Sequence, residues 1–514
     1  MSLRKEDGMP EFIYLPKIGI TIPKHFNFKE NPKFFKCEDF RQAVEFKLNE
    51  IAPFISNNRY SILTDITLGR LFAECVKEMN IYATDQETGD GSWWVFNQTW
   101  RQDIKSSQTA RNIRIFAECL YKYANDKNLN SDLKSKILKL QENASRNKLL
   151  KDAAEECRIF TKQFEANKKL FVCENGTIDL NTMSFREHKA IDYCTRKAPV
   201  KFNPFTNDRL WEEFLNQVFE NNKELIQYIQ QVFGATLSGE NIPEELYILH
   251  GMTRSGKGSL MSAIANVLGP YAGVADSEKL LLNRGNRSTS HNEWLATLAG
   301  KRLVYMDEIP INSTLNSNFI KQITGGTSMK ASLKYGHEFE FSPQWHLFLM
   351  DNHNAKVEDD TLFQSDRLVI IPMNRHFSLE ERDPELKSKL ASEETKETIL
   401  NWLLQGYRLF KQNGWKIKRP KIINDAIAKY REESSPECAF INKALVKDSS
   451  NHAGIPANEV YTYYVDWCSE NNFYCLGKKE FYNFLRQEGW NVSSGASNVI
   501  SIKFSSLKLK KDKT

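Results

Sequence analysis

The stretch Gly251-Met252-Thr253-Arg254-Ser255-Gly256-Lys257-Gly258-Ser259 stands between an apolar run, Leu246–His250, and a helical pattern, Leu260–Leu268. Strand, glycine-rich turn and helix in this order make a cradle for phosphate. The glycines let backbone N–H groups curl around a β-phosphate, Lys257 brings charge to the β and γ oxygens, and the helix N-terminus adds its own positive end. In the usual form of the motif a Ser or Thr follows the Lys and ligates Mg²⁺. Here Gly258 takes that place and Ser259 comes one residue later. Either the helix start shifts so that Ser259 reaches the metal, or water fills the position.

Fifty residues beyond Lys257, the run Arg302-Leu-Val-Tyr-Met ends in Asp307-Glu308. An apolar strand closed by two acids can hold Mg²⁺ on the first carboxylate and polarise an attacking water with the second. A further run, Trp345–Met350, ends in Asp351-Asn352-His353-Asn354. An Asn at the carboxyl end of a central strand, where open α/β sheets bind ligands, can orient the lytic water or touch the γ-phosphate. Arg367 heads the next run, Leu368–Ile371. It reads as an ion-pair partner for an acid, or as an arginine that crosses to a neighbouring subunit's γ-phosphate. Alternation on either side of Tyr335-Gly336 predicts a β-hairpin carrying Lys330, Lys334 and His337. It is either a solvated hairpin or one that tracks a phosphate backbone.

To position these groups the chain needs a parallel sheet. The buried β-rich runs between residues 245 and 373 are separated by helical patterns, which predicts α/β architecture with helices on both faces. Upstream, a helical pattern begins near Thr64, Gly91–Trp100 reads as two strands around a turn, and residues 103–170 read as helical. Leu170–Leu180 reads as a hairpin turning at Asn175-Gly176. Leu210–Phe233 reads as one amphipathic helix, and residues 1–60 show no sustained period.

Composition bounds the function classes. The 514 residues predict three or four domains at about 150 residues each. Hydrophobic residues are 41% and charged residues 26%, and 70 Lys and Arg against 65 Asp and Glu give only +5, so nucleic-acid contact must come from local patches. Nine cysteines (37, 75, 119, 157, 173, 194, 438, 468, 475) include no C-x-x-C pair, which argues for reduced thiols and against a zinc ribbon. Apolar runs fall short of the ~18 residues of a membrane span, and the charged N-terminus does not resemble a signal peptide. A cytoplasmic location, without membrane partners, is expected.

The phosphate loop, Asp307-Glu308, the Thr-Gly-Gly stretch with its basic hairpin, and Asn352 together resemble superfamily 3 helicases. The likeness is to the helicase half of phage, plasmid and poxvirus primase–helicases. Gly91–Asp103 and Asn175–Leu180 resemble the accessory region ahead of that core, so the resemblance covers about residues 60–514. It departs after Asn352, where relatives often have a nearby Pro and this chain has Asn354-Ala-Lys.

The resemblance implies an AAA+ P-loop core that binds ATP and Mg²⁺ through Gly251–Ser259. Asp307 and Glu308 would serve the metal (with Ser259) and hydrolysis, Asn352 would act as sensor, and Arg367 would act in trans. Lys330, Lys334 and His337 would lie on a hairpin gripping single-stranded DNA inside a hexameric ring. Unwinding would run 3′→5′, without priming, beside a separate primase. A replication initiator of the kind carried by staphylococcal pathogenicity islands fits this description.

From Pro436 onward, helices followed by a hairpin suggest a winged helix that binds double-stranded DNA at an origin. On its second helix Phe481, Phe484 and Leu485 form the buried stripe, while Lys479, Tyr482, Asn483 and Arg486 lie opposite. The tail 503–514 holds five Lys and one Asp. The expected division is an N-terminal extension (1–60), a mixed α/β accessory region (61–204), the ATPase core (205–415), a linker helix (416–435) and a C-terminal winged-helix domain (436–514). Two rival readings are an origin-binding scaffold with weak hydrolysis, motivated by Gly258, and an AAA+ loader acting on proteins.

Overall fold

A computed structural model describes residues 12–26, 28, 37–56, 64–129, 131–282, 293–311, 313–332, 338–357, 361–471, 473, 475–494, 500–503 and 505–507. At its centre is a five-stranded sheet, ordered Ala272–Val274, Leu303–Met306, His346–Asp351, Leu246–His250, Leu368–Pro372, with every neighbouring pair parallel. The alternation of side chains along its strands fills two cores. Tyr247, Leu249, Phe348, Met350, Val369 and Ile371 face the helices Lys257–Leu268, Lys223–Ala235 and Glu393–Gln412. Leu246, Ile248, Leu347, Leu349, Leu368 and Ile370 face the helices Glu293–Leu298, Ser317–Thr324 and Lys421–Ser434. Burial on both faces is why these strands read as unbroken apolar runs.

Two of the covering helices touch backbone to backbone. A Cβ built on Gly406 would lie 1.9 Å from the Gln230 carbonyl oxygen, and one on Gly234 would lie 2.3 Å from the Tyr407 nitrogen. Glycine is the residue that permits this approach. Arg302 ties the sheet to the chain before it. Its buried guanidinium donates to the Leu170 carbonyl at 2.7 Å and to the Leu237 carbonyl, and it lies 4.3 Å from the centre of the Tyr271 ring.

Several elements differ from the sequence reading. Residues 210–233 form two helices, Arg209–Val218 and Lys223–Ala235, rather than one. Glu220 and Asn221 adopt left-handed backbone (φ 49° and 58°), and Asn222 caps the second helix by accepting from the Leu225 N–H at 3.1 Å. The apolar period runs through the break because Phe219 is buried on the same core as both helices.

The described residues among the first sixty contribute order that the missing period concealed. The hairpin Phe12–Leu15 and Ile20–Pro23 joins the Ser184–Arg186 strand in a second five-stranded sheet. On the helix Cys37–Ser56, Phe40, Val44 and Leu48 pack into a core built otherwise from residues 68–157. Phe171, Ile178, Leu180, Phe185 and Phe202 instead share the core of the central sheet, while Ala190 and Tyr193 pack against Ile81, Phe96 and Trp100.

The C-terminal residues hold their own core. Helices Pro436–Ala444, Ala457–Glu470 and Lys478–Gln487 are followed by the antiparallel pair Asn491–Ser494 and Ile500–Lys503. Tyr482, expected on the outer face of its helix, is buried, with its ring centre 6.3 Å from that of Tyr461. This short helix is covered on two sides, so its apolar stripe is wider than the sequence pattern indicated. Among the described residues, no helix is long and apolar enough to cross a membrane.

Candidate functional site

In a parallel sheet, strand ends of one kind gather on one edge. The register pairs His250 with Asp351 and Met306 with Leu349, so the loop 251–256, Asp307-Glu308 and Asn352 leave the sheet together at its carboxyl edge. The Gly251 N–H bonds to the Asp351 carbonyl at 3.1 Å, and the Ile309 N–H bonds to the Met350 carbonyl at 3.1 Å, fixing the acidic turn to its neighbour.

The loop reverses through two left-handed residues, Arg254 (φ 63°) and Gly256 (φ 89°). A Cβ on Gly251 would meet the Met373 carbonyl oxygen at 2.1 Å, so the loop needs a glycine there. From outside, the Phe377 N–H donates to the Arg254 carbonyl at 3.0 Å, and the His376 ring lies 3.0 Å from the Thr253 carbonyl. Gly256 caps the Lys257–Leu268 helix without a side-chain hydrogen bond, which leaves the first N–H groups of that helix to another acceptor.

Lys257 is buried and folds back over the loop. Its ammonium donates to the carbonyls of Gly251 (2.6 Å) and Met252 (2.7 Å) and to Ser255 Oγ (3.0 Å). Burial pushes its pKa down to about 8, against the pull of the Asp351 and Glu308 charges. Gly258 is exposed, and a Cβ there would meet nothing within 4 Å, so sterics do not require glycine at that position. Ser259, third in the helix, is half-buried.

Across the edge, Asn352 Nδ2 donates to Glu308 Oε1 at 2.8 Å, while its buried Oδ1 has no hydrogen-bond partner among the described residues. Asp307 and Glu308 are exposed. No three His, Cys, Asp or Glu side chains among the described residues converge to hold a metal by themselves. Asp307 follows the Leu303–Met306 strand at this edge and Ser259 stands in the first turn of the Lys257–Leu268 helix, and both carry the hard oxygen donors that Mg²⁺ takes.

The sequence reading missed the group behind this edge. Asp351 is fully buried and accepts from the His353 N–H (2.9 Å), the Ala355 N–H (3.1 Å) and the Tyr430 hydroxyl (2.7 Å). Burial alone would raise its pKa. The His250 ring, 3.7 Å away, and these donors outweigh burial and hold it at about 2. Asp351 was legible as the acid ahead of Asn352, but its partner Tyr430 lies on a distant helix that no spacing connects to it.

The remaining candidates lie elsewhere. Arg367 is at the amino end of its strand, on the opposite edge of the sheet. It bonds Glu244 at 2.9 Å, Thr324 Oγ1 at 3.0 Å and the Lys321 carbonyl at 3.4 Å. Its acidic partner is thus Glu244, while Asp366 pairs with Arg419 at 3.1 Å. Lys330 lies on the exposed side of the antiparallel pair Met329–Ser332 and Glu338–Phe341, 3.1 Å from Glu338. Lys334 and His337 fall outside the described residues, as does the tail beyond 507. Lys479 and Arg486 are exposed on the Lys478–Gln487 helix, and Arg486 bonds Asn483 Oδ1 at 2.9 Å and the Val492 carbonyl at 3.2 Å.

Residues 78–220 match the family described as D5 N terminal like, and residues 249–367 match a family of unknown function (DUF5906). The chain is 25% identical over 501 residues to "Putative helicase L207/L206" of Acanthamoeba polyphaga mimivirus, covering 92% of this chain and 48% of that protein. It is 22% identical over 396 residues to "Putative helicase 121R" of Invertebrate iridescent virus 3, covering 70% of this chain and 41% of that protein. The chain thus spans about half the length, or less, of these relatives. The apo structure of the NrS-1 C terminal region (305–718) aligns with a TM-score of 0.44 at 12% identity, over 82% of this chain and 85% of that one.

Proposed function

We propose that this chain is an ATP-dependent DNA helicase that serves replication of a virus, phage or mobile element. In this reading its core is of AAA+ type and works like that of superfamily 3 helicases. The observation that carries the reading is the hydrogen bond from Asn352 to Glu308 on the sheet edge shared with the Lys257 loop. It supplies a general base and a polar group beside a phosphate cradle, and the relatives whose printed names say helicase support the same direction.

Gly251–Ser259 would hold the triphosphate on backbone N–H groups, with the Lys257 ammonium leaving the loop carbonyls for the β and γ oxygens. Asp307 and Ser259 would hold Mg²⁺, which supplies charge neutralisation on the phosphates. Glu308 takes a proton from a water whose oxygen bonds to the γ-phosphorus. The bond from the γ-phosphorus to the β–γ bridging oxygen breaks, leaving ADP and phosphate. Asn352 holds Glu308 in line for that transfer.

Arg367, on the opposite edge, would neutralise charge at a neighbour's site in a hexameric ring. Lys330, Lys334 and His337 would follow one DNA strand, with 3′→5′ movement. The C-terminal module would act as a winged helix on origin duplex through Lys479 and Arg486, and a separate protein would prime. The test is DNA-stimulated ATPase and fork unwinding by wild type, Lys257→Ala and Lys334→Ala. Unwinding at the wild-type rate by Lys334→Ala removes the hairpin from the account. Absence of hydrolysis by wild type favours a nucleotide-dependent origin scaffold.

A further inference from the structure

The core formed by residues 68–157 carries a cleft that hydrolysis does not use. Its volume is about 420 Å³, and it lies between the strand Gly91–Asn97, the turn Asp103–Ser106 and the helix Asn143–Glu156. Tyr82 and Trp93 form its aromatic wall, their ring centres 5.4 Å apart and edge to face. The Tyr82 ring lies so close over Gly91 that a Cβ there would come within 2.4 Å of it, so glycine keeps this wall in place. Trp93 is 1% exposed, and its indole N–H has no acceptor among the described residues.

The opposite wall is a turn held in an uncommon shape. Lys105 and Ser106 are consecutive left-handed residues, at φ 58° and 53°. Asp103 secures them by accepting from the Gln108 N–H (3.0 Å), the Thr109 N–H (2.6 Å) and the Thr109 hydroxyl (2.7 Å). Its carboxylate is spent inward, which leaves the rim to Lys105 and Lys151, both exposed and without an ion-pair partner among the described residues. The same turn holds Ile104 75% exposed beside the opening.

A half-buried tyrosine ring, an exposed aliphatic and two ammonium groups without an ion-pair partner among the described residues suit a base with its flanking phosphates. A paired base in a duplex does not present its face to such a wall. The volume falls in the ordinary range for small-ligand clefts, about 300–1,000 Å³.

We propose that this cleft is a second contact for single-stranded nucleic acid, taking a base against the half-buried Tyr82, which Trp93 backs, and adjoining phosphates on Lys105 and Lys151. The hydrolysis chemistry does not depend on it. In the full-length chain, Ile104 replaced by p-benzoyl-phenylalanine should crosslink under light to labelled oligothymidylate and not to blunt duplex. Lys105→Glu with Lys151→Glu should weaken oligothymidylate binding about tenfold and reduce its salt slope by about 1.4, for two phosphates on a single strand. DNA-independent ATP hydrolysis and melting temperature should stay at wild-type values. Absence of the crosslink, an unchanged affinity and salt slope, or preferential crosslinking to duplex would overturn the assignment. None of these outcomes bears on Lys257, so failure here is distinguishable from failure of the ATPase reading.

Discussion

The Asn352 amide donates to the Glu308 carboxylate at 2.8 Å, joining the ends of two neighbouring strands on one sheet edge. An acid held in this way is oriented before any water arrives. Glu308→Gln is expected to bind ATP while losing about 10²–10⁴ in kcat, the usual range for a positioned proton acceptor. Asn352→Ala should lose less, about ten- to a hundredfold, because the base remains but its direction is no longer set. Steady-state hydrolysis with a separate measurement of ATP affinity checks both, and a rise in Kd equal to the loss in rate would contradict the assigned roles.

Lys257 gives a pH dependence with a defined sign. Its pKa in the ligand-free protein is pushed down to about 8, so above pH 8 the free loop loses the proton that triphosphate needs there. Binding must then take up that proton. ATP affinity is expected to be flat below pH 8 and to fall by up to tenfold per unit above it. Lys257→Arg, which does not deprotonate in this range, should bind with a flat profile. Fluorescent-nucleotide titrations from pH 7 to 9.5 read this out, and equal slopes for the two proteins would exclude Lys257 as the source.

Behind the site, Asp351 links pH to stability. Its folded pKa, about 2, lies below the ordinary 3.8, so the stabilisation is present above pH 4 and is lost as the pH falls through 2. The shift corresponds to about 2 kcal/mol. Tyr430→Phe removes one donor from a buried carboxylate and should cost about 1–3 kcal/mol at pH 7. With the carboxyl's folded pKa raised, the cost should shrink toward pH 2. Denaturant melts at pH 7 and pH 3 test this, and a cost independent of pH would place the loss in packing.

Arg367 supplies a test of the ring. In one chain it faces away from the loop and pairs with Glu244. Arg367→Ala and Lys257→Ala are each expected to abolish hydrolysis. Mixed in equal amounts, they should regain a fraction of wild-type activity, because some interfaces then combine an intact loop with an intact arginine. No recovery on mixing, with assembly intact, would assign Arg367 to the Glu244 ion pair alone.

The central sheet is legible in the sequence because strands covered on both faces must be apolar at every position, and Leu246–Leu249 and Leu368–Ile371 are. The loop and the acidic pair are legible for a related reason, since polar residues end apolar strands abruptly. Groups that depend on tertiary meeting are not. Tyr430 reaches Asp351 from 79 residues away, and Glu244 reaches Arg367 from 123. Nor does periodicity register the left-handed break at Glu220 and Asn221, because the apolar residues on both sides share one core. The accessory cleft is concealed for the same reason, since Lys105 and Lys151 meet only when a strand turn and a helix pack together.

The most direct measurement is DNA-stimulated ATP turnover by purified wild type beside Lys257→Ala and Glu308→Gln, at one salt concentration with single-stranded DNA. The account predicts Mg²⁺-dependent turnover by wild type that rises with DNA, no nucleotide binding by Lys257→Ala, and bound but unhydrolysed ATP on Glu308→Gln. Turnover by Glu308→Gln at the wild-type rate, or nucleotide bound by wild type without hydrolysis under any DNA condition, would contradict it.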